Sequence, residues 1–419
     1  MKTIEFRKYW IFFILLGLSQ LAFGGNGGSG YSRYGIGDLT YFLSSRSEGM
    51  GGAGIGMLSA NSINCLNPAT WTSISRTRFS IGGIYEGYSS TDGKKSSYLS
   101  GTSFNGFMIS LPLATRSGFV LGAGIIPYSR INYNIVTSES FDTFTYKIHY
   151  IGEGGLSRGY LGLSGMIGAD VHLGLQVNYY TGTLNYTTKQ LFGNSESMDA
   201  EALRVAELSG LGINAGAVYS GLKKFLPENQ LLNVGLVISA GSKIKSKEQL
   251  FYTYQSAVIT SRDTGVSIER NMHIPFAIGS GLSYTVDRYL FASDVYYQQW
   301  NSFNIDGATS TGLRNSYRIS AGGEYQPKRE GSMTYFQRVA YRLGFFYNSS
   351  YYKIKNEPLN EIGFTGGLGA PIFGDTRLDI NAGFSLRGTT NLGLQKDKIF
   401  RLSFTLSGGE VWFERPEQE

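Results

Sequence analysis

Apolar and polar residues alternate without a break between Phe400 and Ser407, and the same alternation returns from Leu378 to Arg387. Side chains on a β-strand point to opposite faces with a period of two, so each segment has one apolar and one polar face. The pattern recurs along nearly the whole chain after residue 76. It predicts a sheet whose apolar face meets lipid and whose polar face meets a lumen.

Breaks in the alternation divide this part of the chain into about fourteen predicted strands, an even number, as bacterial single-chain barrels require. Their connections alternate between tight turns and long polar loops, as in outer-membrane barrels. The loop Lys243–Thr264 contains an apolar run that predicts a hairpin or a strand extension. On the rim with the tight turns, two connections are longer than the others: Gly221–Glu228 and Pro327–Tyr335. The predicted strands are 77–91, 99–114, 116–136, 143–168, 170–190, 200–221, 229–242, 265–285, 287–304, 313–327, 336–354, 358–373, 375–390 and 397–409.

The prediction is therefore an all-β fold, a transmembrane antiparallel β-barrel. A soluble β-sandwich would alternate in the same way with its apolar face inward. Two observations favour the barrel: so many one-faced strands would fill an unusually large sandwich core, and tyrosines and phenylalanines cluster near strand ends, as membrane girdles do. The predicted lipid-facing residues include Leu173, Leu175, Val177, Tyr179, Leu232, Val234, Leu236, Ile238, Val339, Tyr341, Leu343 and Phe345.

The composition agrees with a barrel. Aromatic residues make up 14% of the 419 residues and charged residues only 16%, below the roughly 25% charged residues of soluble globular proteins. The net charge of +6 is dispersed, and without a basic stripe no nucleic-acid partner is expected. The basic excess either favours anionic lipid headgroups or is scattered, solvated charge.

The N-terminus has the pattern of a secretory signal peptide. Lys2, Arg7 and Lys8 precede the apolar run Tyr9–Leu18, and small residues stand before a cleavage site after Gly24. The run is shorter than the about 20 apolar residues of a spanning helix. We therefore expect residues 1–24 to be a signal peptide, 25–76 an N-terminal hatch segment, and 77–419 a β-barrel in the outer membrane of a Gram-negative cell.

Three motifs follow one another before the first predicted strand: Tyr31–Leu39, the glycine-rich Arg46–Gly56, and the turn Asn67-Pro68-Ala69. With Gly152–Leu156 and the closing Val411–Phe413, their order resembles the FadL-type outer-membrane transporter family, which includes the TodX-like aromatic hydrocarbon channels. The opening motif is more similar to barrels of this type from the Bacteroidetes group.

The resemblance implies a fourteen-stranded barrel with its N-terminal segment folded inside as a hatch. It also implies that hydrophobic molecules bind on the extracellular side and leave sideways through a gap at a kink in the third strand. Pro127 lies in the third predicted strand and cannot donate a ladder hydrogen bond, so it marks either such a gap or an ordinary bulge above the membrane. The residues matching the hatch are Gly49, Gly51, Gly52, Gly54, Gly56, Asn67, Pro68 and Ala69.

Two features depart from the best-known members of that family. The chain shows no long apolar extracellular helices, and its predicted lumen is charged, so fatty-acid specificity is not expected. The charged side chains would line a polar pathway or hold the hatch by salt bridges. The predicted lumen-lining residues are Lys147, His149, Arg318, Glu324, Arg342, Asp379, Arg387 and Arg401.

No motif indicates catalysis, a metal site or a cofactor. Gly51–Gly56 does not have the spacing G-x-G-x-x-G, and the three histidines are dispersed. The single cysteine, Cys65, excludes an intrachain disulfide and is interpreted as a small buried residue. We do not expect an enzyme.

Two functions remain from the sequence. The first is a channel for passive uptake of small, hydrophobic solutes through the plugged barrel, with the outer-membrane lipids and a hydrophobic small-molecule ligand as partners. The second is a non-transporting barrel that acts as a partner in protein secretion or surface attachment, bound to a component of a secretion system.

Overall fold

The computed structural model describes residues 28–41, 44–141, 144–192, 197–256, 259–309, 312–326 and 334–410. The predicted signal peptide, residues 25–27 and Val411–Phe413 lie outside these ranges. Among the described residues, no helix has the length and apolar character needed to cross a membrane.

The described part of the chain forms nineteen strands and one short α-helix, α1 (Ser45–Glu48). Short 3-10 helices lie at Gly30–Arg33, Pro68–Ser73, Thr115–Ser117, Gly221–Phe225, Trp300–Ser302, Tyr335–Arg338 and Asn391–Gly393. The strands are β1 (Asp38–Leu39), β2 (Thr77–Thr91), β3 (Ser96–Ala114), β4 (Phe119–Phe141), β5 (Phe144–Ile167), β6 (Val171–Phe192), β7 (Asp199–Tyr219), β8 (Gln230–Ser239), β9 (Ser242–Gln255), β10 (Thr260–Ile274), β11 (Ala277–Val286), β12 (Tyr289–Gln298), β13 (Asn304–Ile305), β14 (Ala308–Thr309), β15 (Ser316–Tyr325), β16 (Ala340–Ile354), β17 (Glu357–Phe373), β18 (Thr376–Gly388) and β19 (Lys396–Glu410).

Fourteen of these strands close into an antiparallel barrel, which confirms the predicted fold class. They are β2 to β8, β11, β12 and β15 to β19. The last strand pairs with the first along its whole length, from Lys396 opposite Thr91 to Glu410 opposite Thr77. The wall therefore has no free edge at the point of closure, as a membrane-spanning sheet requires.

The predicted strand 265–285 is two strands in the structure. β10 ends at Ile274 and β11 begins at Ala277, because Pro275 between them cannot donate to a ladder. The predicted hairpin in the loop Lys243–Thr264 is confirmed: β9 and β10 pair with each other, and β9 also pairs with the long-loop end of β7. This hairpin extends the wall beyond the barrel on that side.

The outer face of the wall carries a belt of exposed apolar side chains, because alternate residues of each strand point away from the lumen. Val339 differs from its prediction: it is buried, since it ends the 3-10 turn Tyr335–Arg338 instead of standing in a strand. The belt includes Leu175, Val177, Tyr179, Leu211, Ile213, Leu236, Ile238, Phe291, Val295, Leu343, Phe364, Phe384 and Phe400.

Two apolar clusters fill the lumen at different heights. Near the long loops, Tyr31 and Ile36 pack in one cluster with Trp300 of a 3-10 helix and with the strand residues Tyr351 and Leu208. Near the short turns, a second cluster combines Ile63, Cys65, Trp71 and Ile74 with Met108, Val120, Ile126 and Tyr160. In both clusters the N-terminal segment supplies part of the core.

Candidate functional site: the hatch and the wall beside Pro127

Residues 28–41 and 44–76, called the hatch below, precede the first strand of the barrel, and most of them are buried inside it. At its centre, α1 begins with a capping box: Ser44 Oγ accepts a hydrogen bond from the Ser47 amide at 3.1 Å, and Ser47 Oγ accepts one from the Ser44 amide at 3.1 Å. Reciprocal capping of this kind fixes the first turn of a helix. The turn carries Arg46 and Glu48, both buried, toward the wall.

A chain of buried ion pairs joins α1 to the wall. Arg46 Nε lies 2.7 Å from Glu324 Oε2, which also accepts from Arg342 Nε at 2.7 Å. Arg342 Nη1 continues to Asp379 Oδ1 at 2.5 Å, and Asp379 Oδ2 accepts from Ser45 Oγ at 3.0 Å. Removing one member of such a buried network leaves an uncompensated charge, which typically costs about 3–5 kcal/mol. The hatch is thus fastened by electrostatics.

Glu48 makes a second contact with the wall. Its carboxylate accepts hydrogen bonds from Ser403 Oγ, Asn105 Nδ2 and, at 3.2 Å, Asn381 Nδ2. Burial raises the pKa of Glu48 above its usual value, and the three hydrogen bonds oppose that shift only in part. Among the described residues, no ion pair is found for this carboxylate.

The glycine-rich stretch allows backbone to lie on backbone. Gly51 has a φ of 72° and donates its amide to Thr365 Oγ1 at 2.8 Å. A Cβ added to the wall residue Gly344 would lie 2.1 Å from the Gly51 amide nitrogen, so no side chain fits between them. All five predicted hatch glycines, Gly49, Gly51, Gly52, Gly54 and Gly56, are buried in the lumen.

The Asn67-Pro68-Ala69 turn is also buried. Asn67 caps the 3-10 helix by accepting from the Ala69 amide at 3.1 Å and holds the glycine stretch by donating to Ile55 O at 2.7 Å. A Cβ on Gly174 would lie 2.4 Å from the Ala69 amide nitrogen. The wall backbone can approach this turn closely because the inward-facing wall residue here is a glycine.

The wall is interrupted beside Pro127. β3 and β4 pair from Phe107 opposite Ile125 down to Ala114 opposite Phe119, and the ladder does not continue above Ile125 in the described residues. On its other side β4 stays paired with β5, with a bulge between Pro127 and Ser129. β4 therefore has a bulge toward β5 and an unpaired edge toward β3. The lateral gap at Pro127 stays a prediction.

The hatch covers this unpaired edge. Its strand β1 pairs with β4 through Leu39 opposite Ser129 and Asp38 opposite Arg130. Above the end of the ladder, Arg130 reaches across from β4: its Nη2 lies 3.1 Å from Phe104 O on β3, and its Nη1 lies 2.7 Å from Glu86 Oε2 on β2. Two further hatch residues bond the same edge: the Thr40 amide donates to Tyr128 O at 3.0 Å, and Ser32 Oγ accepts from the Asn132 amide at 3.1 Å. The interruption is therefore covered by these hatch residues and one arginine.

Two small cavities lie behind the interruption. The larger, of about 120 Å³, is bounded by the hatch, β2 to β4 and β15 to β19, and its lining includes Glu86, Arg130, Glu361, Arg387 and Arg401. The smaller, of about 50 Å³, lies beside Leu39, Ile55, Leu66, Pro127 and Tyr296. An engineered cavity that admits benzene measures about 150 Å³. Neither cavity holds a monocyclic aromatic molecule unless the hatch moves.

The structure brings most of the predicted lumen-lining residues together inside the barrel. Arg387 pairs with Asp38 at 3.0 Å and with Asp397 at 3.1 Å, while Arg401 pairs with Glu86 at 3.0 Å and with Glu361 at 2.8 Å. Arg318 Nη2 donates to Gly51 O at 2.8 Å. With the network described above, this places Arg318, Glu324, Arg342, Asp379, Arg387 and Arg401 in the lumen.

Lys147 and His149 are placed differently from their prediction. They stand opposite Ser138 and Val136 of β4, on the outward face of strands that extend beyond the belt. The alternate positions of β5 face the lumen: Gly152 stands opposite Tyr133, and Gly154 stands opposite Leu184, and both partners belong to the luminal apolar cluster. Outside the bilayer both faces meet water or protein, so the apolar side chains turn inward and the polar ones outward.

Several residues of the site were missed from the sequence. Asp294 accepts hydrogen bonds from the amides of Gly54 and Ile55 at 2.6 and 2.8 Å. The alternation could have indicated it, because Phe291 and Val295 of the same strand face outward and Asp294 has the opposite parity. Strand parity would likewise have indicated Glu86 and Glu361. Arg46 and Glu48 lie in the hatch, where no alternation exists to show which residues meet the wall.

The fold of this chain is a closed, fourteen-stranded antiparallel barrel, and solved barrel structures share it. A FadL homologue from Pseudomonas aeruginosa has a TM-score of 0.57 at 14% identity, with 89% of this chain and 99% of that chain covered. The toluene transporter TodX from Pseudomonas putida has a TM-score of 0.56 at 15% identity, with 90% and 100% covered. The monoaromatic hydrocarbon channel CymD has a TM-score of 0.55 at 14% identity, with 89% and 98% covered.

The chain belongs to the BamG family, whose model matches residues 6–418. No match was found among curated proteins. The predicted resemblance to FadL-type barrels is thus confirmed for the fold, and the narrower likeness to barrels of the Bacteroidetes group stays a prediction.

Proposed function

We propose that this protein is an outer-membrane channel for the passive uptake of small, hydrophobic solutes, which leave the barrel sideways beside Pro127. The observation that carries the proposal is the end of the β3–β4 ladder at Ile125, with a cavity directly behind it. Phe107 and Ile125 are exposed on the outer face at this height. A solute that passed here would enter the membrane without crossing an aqueous space.

Transport requires the hatch to move, because the cavities are smaller than the solute. The covering strand β1 is only two residues long, and its removal from β4, together with the hydrogen bonds of Thr40 and Ser32, would open the unpaired edge. Two of the similar structures named above are described as a toluene transporter, TodX, and a monoaromatic hydrocarbon channel, CymD. Toluene is therefore the solute with which to begin.

A disulfide between β1 and β4 tests this mechanism. Leu39 and Ser129 are directly opposed, and opposed residues of antiparallel strands are about 4.5–5.5 Å apart, within the range that a disulfide spans. In a Cys65→Ser background, we expect the Leu39→Cys/Ser129→Cys variant to take up toluene when reduced and to lose uptake when oxidised. The two single-cysteine variants serve as controls. Equal uptake by the oxidised and reduced double variant would contradict the proposed exit.

A second candidate function, a partner barrel for protein secretion or surface attachment, is favoured by the short-turn rim. Phe225 is 82% exposed and Phe336 is 74% exposed, each in a 3-10 turn of one of the two long connections on this rim. Hydrogen bonds from the Asp287 amide to Asn229 O and from the Gln326 amide to Arg288 O join the turns that lie between them. Exposed aromatic side chains on one rim are typical of protein interfaces, where aromatic residues are enriched.

The test is purification from outer membranes with mild detergent. If this rim binds a partner, a protein that copurifies in a fixed ratio is lost from the Phe225→Ser/Phe336→Ser variant. Phe373→Ser, at another turn of the same rim, is the matched control. A barrel that purifies alone, with a small molecule in its lumen, would exclude this candidate.

A further inference from the structure

Three lysines form a row on the outer wall of the barrel. Lys243, Lys245 and Lys247 are exposed, and they alternate along β9 with the buried residues Ser242, Ile244 and Ser246. Ile244 belongs to the luminal apolar cluster. Because side chains of a strand alternate between its faces, all three lysines point away from the lumen.

The row begins at the upper boundary of the apolar belt. Lys245 stands opposite Ser209 of β7, and Lys247 stands opposite Glu207. On the same face of β7, Leu211 and Ile213 follow Ser209 and are exposed. Two residues of a strand rise about 6.6 Å, so Lys245 lies one such step above Leu211. That step is about the depth of the headgroup layer that covers the hydrocarbon core.

The protein opposes the charge of the row with carboxylates at one end only. Among the described residues, none of the three lysines forms a salt bridge. Two carboxylates, Glu207 and Glu269, stand opposite Lys247, at the end of the row farther from the belt. Lys245 faces Ser209 and Asn271, and Lys243 faces His273. The positive charge therefore increases toward the membrane.

A cleft accompanies the row. Its volume is about 700 Å³, which is within the range of small-molecule sites in proteins. Hydroxyl and amide groups stand beside the ammonium groups and can bind sugar hydroxyls or phosphate oxygens. The polar side chains along this outer cleft include Thr181, Thr183, Glu207, Ser209, Lys245, Lys247, Glu269 and Asn271.

We propose that this face binds the phosphate group of a glycolipid anchored in the outer leaflet of the membrane. The long-loop rim of such a barrel faces the cell exterior, so the row meets the outer leaflet. A lipid whose acyl chains lie against Leu211 and Ile213 presents its headgroup at the height of Lys243 and Lys245. A free phosphate ion matches the charge of the row, but it has no acyl chains to contact the apolar belt below the row.

The test measures binding of a phosphorylated lipid A to the full-length barrel in detergent, by native mass spectrometry. We expect Lys243→Gln/Lys245→Gln/Lys247→Gln to weaken binding by about tenfold or more, because each lysine near a headgroup contributes to attraction of an anionic lipid. The matched control is Lys94→Gln/Lys95→Gln/Lys355→Gln, which removes the same charge from the exposed tips of two hairpins. Heat-modifiable gel mobility verifies that both variants are folded.

Each outcome decides the proposal. Loss of binding in the β9 variant alone, with weak binding of dephosphorylated lipid A by the parent protein, supports it. Equal binding of phosphorylated and dephosphorylated lipid would overturn it, as would equal binding by the β9 variant and the parent. If inorganic phosphate competes at the same concentration as the lipid, the site recognises free phosphate and the lipid proposal is wrong.

Discussion

Arg46 of the hatch and Glu324 of the wall form a two-point ion pair: Nε lies 2.7 Å from Oε2, and Nη2 lies 2.8 Å from Oε1. The planar guanidinium matches a carboxylate in this way and a lysine does not. The pair is buried and joins residues 278 positions apart in the chain. It is one of the direct ion pairs between the hatch and the barrel.

Arg46→Gln is expected to loosen the hatch. Hydrogen bonds to charged groups contribute about 1.5–3 kcal/mol each, and Glu324 keeps only Arg342 as its ionic partner. Conductance in planar bilayers should rise, and the folded gel band should disappear at a lower temperature. Arg76→Gln is the control, because Arg76 is exposed and its distance to Asp375 is 3.8 Å. Unchanged conductance in Arg46→Gln would show that this pair does not hold the hatch.

Arg130→Ala should ease passage beside Pro127. The variant removes the hydrogen bond to Phe104 O and the ion pair with Glu86, the contacts that bridge β4 to β3 and β2. If their loss favours the open edge by about 1.4 kcal/mol, the open population increases about tenfold. Uptake of toluene into proteoliposomes measures the effect, with Arg288→Ala on the short-turn rim as the control. A decrease in uptake would mean that Arg130 assists the solute.

Cys65 reports on the position of the hatch. Burial raises the pKa of its thiol to about 11, so at neutral pH the reactive thiolate is scarce as well as inaccessible. Labelling with a maleimide should be slow in the parent protein and faster in Arg46→Gln. Mass spectrometry of the intact chain gives the labelled fraction. Rapid labelling of the parent would show that the hatch is already displaced.

Gly344→Ala should prevent the hatch from seating. The added Cβ would meet the backbone of Gly51 at 2.1 Å, and neither chain can yield without losing its ladder or its contacts. We expect a closed barrel with accessible Cys65. Gly366→Ala is the matched control, because its nearest contact is 3.7 Å away. Slow Cys65 labelling in Gly344→Ala would contradict the close approach.

The seated hatch should become more stable as the pH falls from 7 toward 5. Burial raises the pKa of Glu48 in the seated state above its usual 4.5. Its contribution is therefore fully present below pH 4.5 and is lost as the pH rises through the raised pKa. Glu48→Gln should lessen this dependence, measured as the temperature of the gel-mobility transition at pH 7, 6 and 5. An identical pH dependence in both proteins would exclude Glu48 as its source.

The strands could be predicted from the sequence because alternation is a local property, and β2 begins and ends at its predicted residues. The same reasoning placed Arg342 and Asp379 in the lumen. It wrongly placed Lys147 and His149 in the lumen. Within the bilayer polar side chains face the lumen, whereas beyond it these strands turn their polar side chains outward. Nor could it find the partner of Arg46, since a contact between the hatch and β15 depends on the closed barrel.

The buried charges of the hatch have a consequence for the order of assembly. Arg46 precedes every barrel strand in the chain, whereas Glu324, its partner, stands in β15 and Asp379 in β18. Until those strands have formed, the Arg46 guanidinium has no carboxylate partner and is more stable in water than in the lumen. The hatch, although it precedes the barrel strands in the chain, is therefore buried last. It can enter the lumen only after the wall that carries its partner carboxylates has formed. A barrel truncated before β18 would keep its own N-terminus in solvent.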